Sequence, residues 1–208
     1  ARVYVAAGAA QNVLVIGAEV FSRILDWTDR GTCVLFGDGA GAVVVRHDEE
    51  TASGGSMISQ AILASDGSGA EVLARLKGGT KHPYDPATMD PGESMLFMDG
   101  RRVYNFAVRA LPRVLTSVME QNDLAPSDVD WVVPHQANVR ILKEAAKRTG
   151  IEFERFYTNL EHYANTSAAS IPLALEEMTR TGKLDRGMKI LIAGFGGGLT
   201  YGGAYLVW

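Results

Sequence analysis

Apolar positions change their period along this chain, and the changes mark out its elements. Asn12 to Val20 (NVLVIGAEV) is a continuous apolar run rich in β-branched residues, which predicts a strand buried on both faces. Thr32 to Phe36 is a second such run. It ends in Gly37-Asp38-Gly39-Ala40-Gly41, after which Ala42 to Arg46 resumes strand character, and the pattern predicts a hairpin around a glycine turn. Ser56 to Ala64, Trp131 to Val133, Lys189 to Ala193 and Ala204 to Trp208 are further predicted strands. Elsewhere the period lengthens to that of a helix. Over Arg101 to Glu120, Val103, Phe106, Ala107, Ala110, Leu111, Val114 and Val118 fall on one stripe, with Arg102, Arg109 and Arg113 off it. Pro112 inside that pattern predicts a kink or break. Ala137 to Arg148 turns Ile141, Leu142, Ala145 and Ala146 inward and stops at Gly150; Ala168 to Arg180 stops at Gly182.

Residues 2–9 are small and apolar, like the end of a helix packed on a neighbour. Residues 47–55 are polar and glycine-rich, which predicts a linker. Residues 66–94 are rich in Gly, Pro and Asp without periodicity, which predicts a long surface excursion. Alternating strands and helices predict α/β layers. A strand, a glycine cluster and a strand occur at 32–46 and again at 189–208, which fits two similar α/β halves, divided here into residues 1–50 and residues 56–208.

Composition narrows the classes. Hydrophobic residues make up 47% and charged residues 21%, enough to bury a core. No stretch approaches the ~20 apolar residues of a membrane span, and the start does not read as a signal peptide. The first residue is Ala1, within an apolar pattern, so the chain is expected to be a fragment or a processed product. Cys33 is the only cysteine, which excludes an internal disulfide and fits a reducing, cytoplasmic compartment. The formal charge of −4 argues against nucleic acid as a main partner. Four scattered histidines and one cysteine give no zinc spacing, so no metal is expected.

Three segments could carry chemistry. His135-Gln136-Ala137-Asn138 stands where a buried strand meets a helix, and ligands of α/β folds sit at the carboxyl ends of strands. A lone histidine there is by default a hydrogen-bonded structural residue. Asn165-Thr166-Ser167-Ala168-Ala169-Ser170 has the composition of a helix N-cap. The glycines from Gly194 to Gly203 read as tight turns or as backbone donors beside a reacting carbonyl. Gly37-x-Gly39-x-x-Ala42 matches a relaxed dinucleotide fingerprint, but Val43-Val44-Val45 follows where a helix is required, which rejects nucleotide binding.

Taken together, these blocks are more specific. Trp131 to Asn138 (WVVPHQAN), Asn165 to Pro172 (NTSAASIP) and Gly194 to Thr200 (GFGGGLT) resemble, in order and spacing, the signature blocks of β-ketoacyl-acyl-carrier-protein synthase III. Thr28 to Gly31 (TDRG) and Phe36 to Ala42 (FGDGAGA) resemble two more, and the resemblance runs over essentially the whole chain, as its C-terminal two-thirds of such a protein. It implies a thiolase-like fold, here one complete C-terminal half and the end of the N-terminal half. It implies an acyltransferase, a homodimer in the full-length protein, that moves an acyl group from acyl-CoA to a cysteine and condenses it with malonyl-acyl carrier protein, releasing CO2 to start fatty-acid synthesis. No cofactor is implied beyond coenzyme A and phosphopantetheine thioesters as substrates, and neither nucleic acid nor membrane is a partner.

By the same resemblance His135 and Asn165 are catalytic, as neutral donors to a thioester oxygen where enolate charge develops, and the Gly197 N–H serves the acyl oxyanion. Arg30 matches a position contacting the adenine end of coenzyme A; Phe36, Met98, Tyr104, Asn138 and Phe195 fall at substrate-binding positions. Arg140, Lys143 and Lys147 form a basic stripe on the helix after His135, suited to an acidic carrier protein. Ala164 stands where the family commonly has glycine, and His162 is left without a chemical role. The family's cysteine nucleophile does not fall at Cys33, which reads as a small buried residue of an interior strand; it should lie upstream of residue 1, and the 208-residue chain alone is expected to be inactive in condensation. Alternatives are a related synthase that primes polyketides or makes alkylquinolones, and a non-catalytic chain that keeps the fold.

Overall fold

The computed structural model describes residues 1–47 and 57–208. The predicted linker, apart from His47, and the boundary between the two predicted units lie outside the described residues. In chain order the elements are α1 (Arg2–Ala6), β1 (Asn12–Glu19), β2 (Gly39–Arg46), β3 (Met57–Ile58), β4 (Ile62–Ser65), β5 (Leu73–Ala74), β6 (Phe97–Met98), α2 (Gly100–Gln121), β7 (Trp131–Pro134), α3 (Val139–Thr149), α4 (Leu160–Tyr163), α5 (Ser170–Arg180), β8 (Lys189–Gly196) and β9 (Thr200–Val207).

The main sheet runs β3-β9-β8-β7, with β4 also on β9. β7 is parallel to β8 and the other pairs are antiparallel. The β-branched and aromatic residues of these strands bury both faces. Leu191, Ala193 and Tyr205 pack with α2 and α3, while Val133, Ile190 and Leu206 pack with Ala174, Leu175 and Met178 of α5. α2 begins where Asp99 accepts the Arg102 N–H at 3.0 Å. It runs as a single helix through Pro112, whose ring is buried, so of the expected kink or break the break does not occur. Ala107, Ala110, Leu111, Val114 and Val118 of the predicted stripe are buried, and Val103 and Phe106 half-buried. α3 is capped by Asn138, which accepts the Arg140 N–H at 2.9 Å, and ends at Gly150 with φ 73.

The first 47 residues depart most from expectation. β1 pairs with β2 over its whole length, from Asn12↔Arg46 to Glu19↔Gly39, instead of 32–36 pairing with 42–46. Thr32 to Leu35 is not a strand. Asp29 curls it: its carboxylate accepts the Gly31 N–H and the Thr32 hydroxyl, and its carbonyl accepts the N–H groups of Thr32 and Cys33. Those local bonds override the β propensity of the run. Cys33 therefore lies half-buried in a turn, not in an interior strand. The strand–glycine–strand echo holds only for β8 and β9, and even there the glycines Gly194 and Gly196 are strand residues.

Gly39 and Gly41 likewise sit inside β2. They serve close approach, not turning. The inner face of the β1–β2 ribbon packs on α5 and the turn before it, and a Cβ on Gly41 would meet Pro172 Cβ at 2.9 Å. A Cβ on Gly17 would meet the Ala168 carbonyl oxygen at 2.3 Å, and one on Gly37 the Tyr163 carbonyl oxygen at 2.4 Å. Among the described residues, nothing covers the outer face. Leu14, Ile16 and Val44 are each about 60% exposed, at 59%, 63% and 62%, so β1 is not buried on both faces. Val3 and Tyr4 of α1 are exposed as well, whereas Val5 is buried and the helix packs on β1 and β2, with Arg2 Nε donating to the Ile58 carbonyl at 2.9 Å.

The predicted strand Ser56 to Ala64 is two short strands on β9, separated at buried Ser59, which bonds Tyr205 through both its N–H and its hydroxyl oxygen. The 66–94 excursion is mostly exposed but anchored, with Val72 buried and β5 paired to β6.

Because Gly17 abuts main-chain atoms that cannot rotate away, Gly17→Ala should cost about 1–3 kcal/mol in urea or thermal unfolding. Gly67, with open space where its Cβ would be, serves as the control and should change by less than about 0.5 kcal/mol on Gly67→Ala.

Candidate active site

The site forms where β7 ends. Pro134 closes the strand, and the next residue still donates its N–H to the Ala193 carbonyl of β8 at 2.7 Å, so His135 is aimed by the sheet itself. Gln136 locks the bend. It is 1% exposed, gives its amide hydrogens to the carbonyls of Pro134 (2.9 Å) and Tyr157 (3.0 Å), and accepts the Asn159 N–H at 3.2 Å. The His135 ring meets Phe195 edge-to-face, with centroids 5.4 Å apart, and its Nδ1 lies 2.7 Å from the Ser170 hydroxyl.

Asn165 arrives from the other side. Its N–H donates to the Leu35 carbonyl at 3.0 Å and its carbonyl accepts the Gly37 N–H at 2.9 Å, a parallel bridge to Phe36. The Asn165 Oδ1 accepts the Ser167 N–H at 2.9 Å. With the oxygen so engaged, the amide NH2 is the end of the side chain left to donate. No side chain of this segment caps α5, whose N-cap is Ala169 without a side-chain bond; Asn165 caps a local turn instead. The turn is strained. Ala164 has φ 56 and ψ −157, and Ser167 has φ 47, on either side of Asn165 and Thr166. Conformations of this kind cost on the order of 1–3 kcal/mol each and persist where surrounding bonds over-determine them.

His135, Asn165, Gly197, Phe36, Met98, Tyr104, Asn138 and Phe195 line one cavity of about 350 Å3, so eight of the residues expected from the sequence are brought together. Phe21, Leu73, Leu96 and Ile141 are among the other apolar residues of its wall and were not anticipated there. Leu73 and Leu96 come from the irregular 66–94 stretch and the residues just after it, where no periodicity could single them out. Arg30 does not line the cavity and is exposed. Arg140, Lys143 and Lys147 lie exposed on α3, outside it; Lys143 Nζ stands 5.5 Å over the Phe153 ring. Cys33 is not at the cavity. A second opening of about 560 Å3 shares His135, Ser167, Phe195, Gly196 and Gly197 and continues between Leu63, Ile171 and Tyr201.

Burial pushes His135 down to about 4, with the Ser167 carbonyl opposing because it favours a protonated ring. Its accessible surface is intermediate, since the ring edge reaches the cavity, but the protein around it sets the desolvation. The imidazole is neutral at neutral pH. Among the described residues, no charged side chain lines the 350 Å3 cavity. Among the described residues, no group of three or more His, Cys, Asp or Glu could hold a metal, and no helix is long and apolar enough to cross a membrane.

Residues 119–208 match the family model described as 3-oxoacyl-[acyl-carrier-protein] synthase III C terminal, and residues 1–67 match the model described as 3-oxoacyl-[acyl-carrier-protein] synthase III. The chain belongs to the 3-oxoacyl-[acyl-carrier-protein] synthase III family. It is 45% identical over 205 residues to a β-ketoacyl-[acyl-carrier-protein] synthase III of Clostridium acetobutylicum, covering 99% of this chain and 61% of that protein. The synthase III structure from Thermus thermophilus is 42% identical with a TM-score of 0.86, over 100% of this chain and 62% of that one. The priming β-ketosynthase from the R1128 polyketide pathway is 35% identical with a TM-score of 0.85, over 98% of this chain and 59% of that one. The chain thus spans about three fifths of the length of these synthase III relatives. Its α/β architecture is their thiolase-like fold.

The lowered His135 pKa has a consequence for stability. Above about pH 6.5 the ring is neutral folded and unfolded, and contributes nothing to the pH dependence. As pH falls from about 6.5 to about 4, the unfolded chain takes a proton that the folded chain refuses, so stability is lost through that window and levels below it. The Tm difference between wild type and His135→Asn should therefore shrink between neutral pH and about pH 4. Parallel curves would rule His135 out as the titrating group.

Proposed function

We propose that this chain forms the His–Asn part of an acyltransferase that joins an acyl-CoA primer to malonyl-acyl carrier protein by decarboxylative Claisen condensation, the reaction that starts fatty-acid synthesis. The observation that carries the proposal is that the Asn165 amide, with its oxygen tied back to Ser167, and a neutral His135 open onto one uncharged cavity beside the Gly196–Gly197 main chain. A malonyl carboxylate entering there loses water and finds no cation among the described residues. Losing CO2 moves its charge onto the thioester oxygen as an enolate, where a fixed amide donor stabilises it. The enolate carbon then attacks an acyl thioester, forming the carbon–carbon bond and expelling thiolate. The Gly197 N–H serves the oxygen of that second carbonyl, and Phe36, Met98 and Tyr104 hold the acyl chain against apolar wall. Asn138 combines lining the cavity with capping α3.

The acyl-carrying thiol in this scheme is a cysteine other than Cys33, outside these 208 residues. Exposed Arg30 is assigned to the nucleotide end of coenzyme A, and the Arg140–Lys143–Lys147 stripe to the acidic carrier protein. The active protein is a homodimer working without a metal or a resident cofactor, in the cytoplasm. The likeness to a polyketide-priming ketosynthase favours one second reading, the same condensation feeding polyketide assembly. Acyl-CoA preference separates the two.

Incubated with acyl-CoA, the 208-residue chain should show no acyl adduct by intact mass; an adduct on Cys33 overturns the assignment of the thiol. In the protein read from the whole coding sequence, Asn165→Ala should lower condensation about 10²–10³-fold while acyl loading persists. Unchanged condensation would remove Asn165 from the chemistry. Lys143→Glu with Lys147→Glu should slow turnover of carrier-bound malonyl about 3- to 10-fold and spare loading from acyl-CoA, because a charge reversal at a docking rim acts on encounter. Equal loss in both half-reactions would place the stripe outside docking.

A further inference from the structure

One hydroxyl in the site is fully committed, and its commitments fix a proton elsewhere. Ser170 opens α5, is 2% exposed, and has Oγ 2.7 Å from the Ser167 carbonyl oxygen and 2.7 Å from His135 Nδ1. The Gln136 N–H points at the same oxygen from 3.4 Å. A carbonyl can only accept, and a hydroxyl has one hydrogen. That hydrogen must lie toward Ser167, since otherwise two oxygens would face each other at 2.7 Å with nothing between them, in a place too buried for water to relieve. Oγ then has only lone pairs to offer His135, so Nδ1 must be the nitrogen bearing hydrogen.

We infer that Ser170 is a positioning residue that holds the His135 ring and fixes its proton on Nδ1, so that Nε2 meets the cavity as a hydrogen-bond acceptor. Phe195 against the ring, and the His135 N–H bond to Ala193, leave little freedom to escape that arrangement. The site thereby presents two unlike groups, the donating amide of Asn165 and the accepting nitrogen of His135. A carbonyl oxygen suits the first. A group carrying a polar hydrogen, such as a thiol, suits the second. This deepens the proposed condensation by giving His135 the thiol side of the reaction and Asn165 the thioester oxygen, and it rests on that proposal only for this consequence. The tautomer itself follows without reference to any activity.

The test is nitrogen NMR of the His135 ring at neutral pH, in wild type, Ser170→Ala and Ser170→Thr. Wild type should show a protonated Nδ1 and an unprotonated Nε2 in a single tautomer. Ser170→Ala should lose that preference and populate both tautomers, and Ser170→Thr, which keeps the hydroxyl, should restore it. A protonated Nε2 in wild type overturns the inference and leaves the proposed condensation standing with two donors, so the two ideas fail separately. An unchanged tautomer in Ser170→Ala would also overturn it, by showing that another group fixes the proton. If Ser170→Ala does not fold, Ser170→Cys, close in size and far weaker as a hydrogen-bond acceptor, takes its place in the same comparison.

Discussion

The site depends on one short segment, Tyr163 to Ser170, being gripped from both sides. From the ribbon side, the Asn165 main chain bonds Leu35 and Gly37, and glycines at 17 and 37 let main chain touch main chain. From the sheet side, the Ser170 hydroxyl ties the segment to His135, which the β7–β8 register aims. A turn with Ala164 and Ser167 at positive φ would relax in isolation, and it holds its shape because bonds at both ends over-determine it. The Asn165 amide is thus fixed before any ligand arrives, which is the condition under which a hydrogen-bond donor stabilises developing charge without reorganising.

The same grip explains which features were legible in the sequence. Period alone recovers α2, α3 and α5 within one or two residues of their ends, because each buries a single stripe against the sheet. β7 and β8 were legible because strands buried on both faces need continuous apolar runs. The first 47 residues misled for two separate reasons. Asp29 bends a β-branched run into turns by bonds only two to four residues long, which overrides propensity locally. The glycines of β2 look like turn residues but are there for packing, and sequence does not distinguish a glycine that turns from one that admits a neighbour.

Among site residues, the resemblance located eight of those that face the cavity and gave no role to those that hold them. His135, Asn165 and Phe195 sit in recognisable blocks. Ser170 acts across 35 positions of sequence, and Gln136 across 21 and 23, so no local spacing announces either. Arg30 and the α3 stripe lie outside the cavity because charge there would be desolvated without a partner. Surface charges of this kind are the residues whose role the fold alone constrains least.

His135 is also a wall between two openings. The smaller one is apolar and lined by α2 and the 21–36 stretch; the larger runs past Leu63, Ile171 and Tyr201 and shares the same histidine and the Gly196–Gly197 turn. This placement accounts for a ring that keeps some accessible surface and yet has a pKa as low as about 4, since the protein above and below it excludes more water than the open edge admits. It also bears on the condensation proposed above, which would bring two thioesters to one carbon–carbon bond. Two acyl groups approaching through a single mouth would obstruct each other, whereas a neutral group reachable from two sides lets one remain in place while the other enters. Charge would spoil that arrangement. An imidazolium in so dry a place would hold the first anion to arrive, and a neutral ring does not.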